Sequence, residues 1–372
     1  MQDREDYYNY FYGWWKNIDK SILLIILSLL FLGLFFSLVS TSLIASDKLQ
    51  TNSYYFFLKH FIFVIVGLCF LFSFSIFNQK QLYNLSIILF LIFFLLLVLV
   101  PFIGVEVKGS KRWIEILFLP RLQPIELLKP FLIVIIALVL SLGTNRTKYL
   151  NYFLSLLVIF PTLLLLLIQP DLGQSILVLL TWLILIFISG INLFIFFSFF
   201  FILIGSTSYL IFFIPKFEYI KIRIFSFLDP SSGNNHQPDK ASDAIIGGGF
   251  FGKGVGEGTL NNRIPEAHTD YIVSVISEEF GIVIVIAIIL VFIFFAFQVI
   301  RKISLEKDNK IRLILMGLIS ILILQTFVHI GVNIRILPTT GMTLPFLSYG
   351  GSSIISNSIL SGIILNLTRR KV

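Results

Sequence analysis

The segment Pro265-Glu266-Ala267-His268-Thr269-Asp270-Tyr271, followed by Glu278-Glu279-Phe280-Gly281, puts carboxylates and an imidazole within a short reach of chain. A carboxylate can take a proton from an attacking hydroxyl once partial burial lifts its basicity. The same residues suit a plainer role. Thr269 or Asp270 could cap the helix that follows, with the acids favouring the positive end of its dipole. Two basic segments elsewhere could complete a site for an anionic substrate. The first reads Lys108-Gly109-Ser110-Lys111-Arg112-Trp113-Ile114 and continues through Gln123-Pro124-Ile125-Glu126-Leu127-Leu128-Lys129-Pro130. Arg112 offers a planar fork to a phosphate and Lys111 a point charge. Glu126 and Lys129 stand three residues apart on one helix face, where they either pair with each other or serve a wet cavity.

The second basic segment opens on Arg223, passes Asp229-Pro230 and reaches a glycine run from Gly247 to Gly258. That run nearly spells a phosphate-binding loop. Gly254, however, stands where Ser or Thr should ligate magnesium, and no strand leads into it, so that reading is rejected. The glycines are left with close backbone approach, anion-binding nests or flexibility. A last polar turn runs Leu337-Pro338-Thr339-Thr340-Gly341-Met342-Thr343-Leu344-Pro345-Phe346 into Leu347-Ser348-Tyr349-Gly350-Gly351-Ser352-Ser353, whose small residues allow close helix packing or room for a substrate chain.

The elements that must hold these residues are apolar. Hydrophobic residues make up 57% of the 372 and charged residues 13%, with a mean hydropathy of +0.95. A soluble domain needs roughly twice that share of charge to cover its surface. Charge-poor runs and breakers predict ten membrane helices near 21–45, 56–78, 82–104, 124–142, 150–168, 173–190, 192–214, 271–300, 311–334 and 349–367. Gln169-Pro170-Asp171 reads as a tight turn between the fifth and sixth. The expected fold is therefore an all-α polytopic membrane protein. Residues 1–20 form a cytoplasmic tail that is no cleavable signal, 21–367 a single transmembrane domain, and 368–372 a short cytoplasmic tail. Basic residues of the short loops favour both termini inside. The exempted segments 105–129 and 216–263 then lie outside, and 215–270 is a large extracytoplasmic loop between helices seven and eight. Cys69 is a lone thiol within an apolar run, and His60, His236, His268 and His329 show no zinc-binding spacing. The 41 phenylalanines read as lipid-facing filler rather than as a pocket.

Taken in order, the strings GSKRWI, QPIELLKP, QPDLGQ, RIFSFLDP, GGGFFGKGVGEG, PEAHTDY with EEFG, and LPTTGMTLPFLSYGGSS resemble the signatures of the SEDS family (shape, elongation, division and sporulation). The resemblance runs from about Trp14 to Leu367 and is nearer to the division-type than to the elongation-type member. It implies ten helices and a glycosyltransferase that polymerises lipid II into peptidoglycan outside the cytoplasmic membrane, at the division septum. It also implies a class B penicillin-binding transpeptidase and other division-complex membrane proteins as partners, and no nucleic acid. The family's catalytic aspartate falls on Asp270. Its polar residues around the outer cavity fall on Arg112, Glu126, Lys129, Asp171, Arg223, Glu266, His268 and Ser348, to which Lys111, Gly350, Gly351 and Ser352 are added as substrate-binding candidates. Ile125, Thr340 and Asn235-His236-Gln237 depart from the usual family residues, and none of them removes a charge proposed for chemistry.

On this reading Asp270 is the base for an attacking sugar hydroxyl. Arg112, Lys129 and Arg223 steady the departing polyprenyl pyrophosphate. The residues name no definite cofactor, and a divalent cation such as magnesium or manganese would suit the charges. A single displacement would invert the anomeric centre. The competing readings are an elongation-type polymerase, a flippase for the same lipid-linked precursor, and a scaffold without activity.

Overall fold

In lipid, a charge-free run of Leu, Ile, Phe and Val has no hydrogen-bond partner but itself, so each run closes its backbone as a helix. The computed structural model describes residues 12–42, 54–107, 110–115, 120–142, 148–229, 236–258 and 267–370. Helices α1 (Lys20–Ser42), α2 (Tyr55–Ile76) and α3 (Gln79–Ile103) come first. Strands β1 (Val105–Val107) and β2 (Ser110–Trp113) then form an antiparallel hairpin. Next are α4 (Pro124–Ser141), α5 (Lys148–Ile168), α6 (Leu172–Ile188) and α7 (Leu193–Phe213). The polar segment beyond α7 holds a 3₁₀ turn (Pro215–Phe217), α8 (Glu218–Leu228) and α9 (His236–Gly248). The chain closes with α10 (Ile272–Phe280), α11 (Ile282–Leu305), α12 (Asn309–Asn333) and α13 (Gly351–Leu367).

Among the described residues, eight of these helices are long and apolar enough to cross a bilayer, while α6 and α13 are shorter apolar helices. Every expected span therefore has a counterpart. Helix α4 is the hub. It is almost wholly buried and packs against α3, α5, α6, α12 and α13. By contrast α7 lies at the periphery, with none of its apolar window buried. It leans on α6 through the Trp182–Phe199 and Phe187–Phe196 ring pairs.

Three local outcomes differ from the sequence reading. The eighth span is not one helix over 271–300 but two, broken at Gly281 with φ of +84°. The break lets residues 249–253 pack against the end of α10. Lys253 N and Gly254 N donate to Glu278 O and Glu279 O, and Ile282 N donates to Gly249 O, at 2.9 to 3.1 Å. A Cβ at Gly281 or at Gly252 would overlap the opposing backbone, so of the roles left open for the glycine run the structure selects close approach. The loop expected over 215–270 is partly helical, as α8 and α9 show. The turn after α12, finally, is a long re-entrant segment. Met342, Leu344, Phe346 and Leu347 are buried within the bundle, and the Phe346 carbonyl lies so close to α1 that only a glycine fits at position 33. Irregular backbone at that depth is tolerated because protein, not lipid, surrounds it.

A polar cavity at one end of the bundle

The hairpin, α8, the α12–α13 segment and the residues before α10 enclose a cavity of about 390 Å³. Arg112, Glu126, Arg223 and Asp270 line it, together with Thr343 and Tyr349. The four charged residues are positioned by four separate elements, and each position has a local cause.

Strand β2 alternates exposed Lys111 with buried Arg112, as strand pleating requires. Arg112 then reaches the turn between α5 and α6. Its Nε donates to Gln169 O at 3.3 Å, an Nη donates to Pro170 O, and the guanidinium lies 3.6 Å from the Asp171 carboxylate. Asp171 caps α6 by accepting from Gln174 N at 3.4 Å, and it also accepts from Gln123 Nε2 at 3.1 Å. Burial pushes the Asp171 carboxyl above its ordinary range, against the pull of Arg112. Arg223 on α8 is drawn below the usual arginine value by burial first and by Arg112 second. Three guanidiniums, those of Arg112, Arg121 and Arg223, and two carboxylates, those of Glu126 and Asp270, line the cavity, so cationic side chains outnumber anionic ones on its wall.

The floor is the pair Glu126–Lys129, 2.9 Å apart and both buried. Gln174 Nε2 donates to Glu126 Oε1 at 2.5 Å, and Ser356 Oγ donates to Glu126 O at 2.5 Å. The Gln174 bond to the carboxylate and the 2.9 Å bond from Lys129 Nζ to Gln325 Oε1 offset part of the cost of burying the two charges.

Asp270 is half-buried. Its segment is fixed through the backbone: Asn333 Nδ2 donates to Asp270 O at 3.1 Å, Ser348 Oγ to Thr269 O at 2.7 Å, and Tyr349 N to His268 O at 3.0 Å. Ser348 Oγ in turn accepts from Leu344 N at 2.9 Å. Burial pushes the Tyr349 hydroxyl up to about 12.

A family model named for FtsW, RodA and SpoVE, and described as cell cycle protein, matches residues 20–372. The chain belongs to this family. It is 35% identical over 361 residues to a probable peptidoglycan glycosyltransferase FtsW of Coxiella burnetii, covering 94% of this chain and 95% of the relative. It is 30% identical over 365 residues to the protein of the same name from Caulobacter vibrioides, covering 96% and 91%. Among solved structures, it superposes with a TM-score of 0.77 and 26% identity on a chain from a study of how a peptidoglycan synthase complex coordinates polymerization and crosslinking, over 94% of this chain and 97% of that one. The rod shape determining protein RodA of Thermus thermophilus shares the fold, with a TM-score of 0.69 at 24% identity over 94% and 96%.

Within this FtsW/RodA/SpoVE chain the expected site residues do not all behave alike. Arg112, Glu126, Arg223, Asp270, Gly350, Gly351 and Ser352 line the cavity. Lys129 and Asp171 sit one layer behind it, under Glu126 and beside Arg112. Ser348 acts through Thr269, and the His268 ring packs between Phe56 and Tyr349 at 5.1 and 5.6 Å. Lys111 is exposed, opposite Glu106 in the hairpin. Glu266 lies outside the described residues. Glu278 pairs with Lys253 at 2.8 Å. Gln123, Gln174, Gln325 and Asn333 were not singled out by the sequence reading. A signal for the last two existed, since polar amides within an apolar span are functional candidates by position alone. Among the described residues no group of three or more His, Cys, Asp or Glu is placed to hold a metal ion.

Proposed function

We propose that this chain is a peptidoglycan glycosyltransferase that polymerises lipid II at this cavity, with Asp270 as the base. The observation that carries the reading is the placement of Asp270, Arg112 and Arg223 around one cavity, with two kinds of charge suited to opposite ends of a displacement. The attacking sugar hydroxyl forms a bond to the anomeric carbon and gives its proton to Asp270. The bond from that carbon to the pyrophosphate oxygen breaks, and polyprenyl pyrophosphate departs toward the guanidiniums. Lys129 supports this from below by keeping Glu126 paired. The same reading puts both termini in the cytoplasm and the cavity on the outer face, consistent with the charge bias of the short loops.

The FtsW-named relatives favour septal synthesis during division over elongation. The likeness to a chain of a synthase complex favours a class B transpeptidase as the working partner. The deciding experiment is polymerisation of purified lipid II by the solubilised protein with that partner, comparing wild type with Asp270→Asn. Long strands from wild type, with a loss of about 10²–10⁴ in the variant, are expected for removal of a general base. Strands from both would remove Asp270 from the role. No strands from a partner-bound wild type would favour the flippase reading.

A further inference from the structure

Gln325 lies on α12 with 2% of its surface exposed, and its two amide ends are used in opposite senses. Lys129 Nζ donates to Gln325 Oε1 at 2.9 Å, while Gln325 Nε2 donates to Thr343 O at 3.0 Å. An ammonium can only donate and a carbonyl can only accept, so the side chain between them must do both, which an amide does and a carboxylate or an alkyl group does not. Thr343 belongs to the re-entrant segment and lines the cavity, and its Oγ1 donates to Ser353 Oγ at 2.7 Å. Ser348, five residues further along the same segment, accepts at Oγ from Leu344 N next to Thr343 and donates to Thr269 O beside Asp270.

We infer that Gln325 is a positioning residue: it pins the Thr343 end of the re-entrant segment to the buried ion pair and so sets the fit of the cavity to its lipid-linked glycan substrate. This rests on the cavity being the polymerisation site. The two pins act on different things. The Gln325 pin holds a wall that substrate touches to the buried ion pair, whereas the Ser348 pin ties that segment to the backbone carrying Asp270. Loss of the first should therefore appear in KM and loss of the second in kcat.

The test uses full-length protein with its transpeptidase partner, purified lipid II, and Cys69→Ala carrying Thr339→Cys as a reporter on the cavity wall. Gln325→Leu removes both hydrogen bonds. Gln325→Glu keeps an acceptor for Lys129 but sets a carboxylate oxygen against Thr343 O, and it carries the test if the leucine variant does not accumulate. Both variants should raise KM for lipid II about ten-fold with kcat within about two-fold, while a water-soluble maleimide labels the reporter several-fold faster. Ser348→Ala should lower kcat and leave KM near its starting value. Unchanged KM and labelling in a folded variant would overturn the inference. A parallel fall in kcat and melting temperature, without a rise in KM, would do so too, since that is the mark of a merely structural residue. If wild type makes no polymer, the cavity reading fails, and the labelling rates still decide whether Gln325 holds the segment.

Discussion

Arg112 and Asp171 meet across 3.6 Å although 58 residues separate Arg112 from Pro170, the other end of its hydrogen-bonded contact with the same turn. The strand supplies a donor with several N–H groups, and the turn supplies two carbonyls and a carboxylate in fixed places. The arginine is thereby held rigid at the cavity wall.

That rigidity separates arginine from lysine. Arg112→Lys keeps the charge but cannot satisfy Gln169 O, Pro170 O and Asp171 together. The initial rate of lipid II polymerisation should fall by about ten-fold or more, the equivalent of losing about 1.4 kcal/mol of transition-state interaction. An unaltered rate would reduce Arg112 to a point charge.

Asp171 gives a pH signature. Burial raises its carboxyl above the ordinary carboxylate value, so it takes up a proton at a higher pH than an exposed aspartate would. Protonation releases its hold on Arg112, and the acid limb of the activity profile should begin above the ordinary value of about 4. Stability should move the other way. Between the unfolded and the raised folded value the native state binds more protons, so this group's contribution grows as pH falls through that window and is lost as pH rises. Rates and melting temperatures measured together from pH 4 to 7 would show activity falling without a matching loss of stability from this group. An acid limb no higher than that of a free carboxylate would contradict the assignment.

The ion pair at the floor is expected to be costly to break and cheaper to delete. Lys129→Met leaves Glu126 buried without its cation, at a cost of about 3–5 kcal/mol. The double variant with Glu126→Gln should recover much of the lost melting temperature. Equal melting temperatures for the single and double variants would mean that the pair carries little electrostatic weight.

Gly281→Ala combines a strained φ with overlap against the Phe250 backbone. It should destabilise by about 2–4 kcal/mol through backbone strain and overpacking. Gly205→Ala, where nothing lies within 4 Å of the new methyl, should be neutral or gain up to about 1 kcal/mol from helix propensity. A thermal-shift comparison of the two in one detergent separates the interlock from a generic glycine effect.

The spans were legible in the sequence because their cause is local. A run such as Ile282–Leu305 must be helical in lipid whatever its neighbours are, since no other structure satisfies its backbone. The motifs were legible as well, and with them the family, because strings such as PEAHTDY and LPFLSYGGSS keep their order along the chain. Tertiary structure decided the rest. Glu278 read only as one of a group of carboxylates until Lys253 was found against it, and Gly281 looked like a place inside a helix until residues 249–253 needed the space. The segment after α12 read as a polar turn, yet it enters the bundle because α1 offers a glycine opposite Phe346 and because Gln325 and Ser348 satisfy its polar groups at depth. Sequence determines which residues are apolar, charged or small, and so which segments enter the membrane. Which buried donor faces which acceptor depends on helices far apart in the chain, and only their packing sets that.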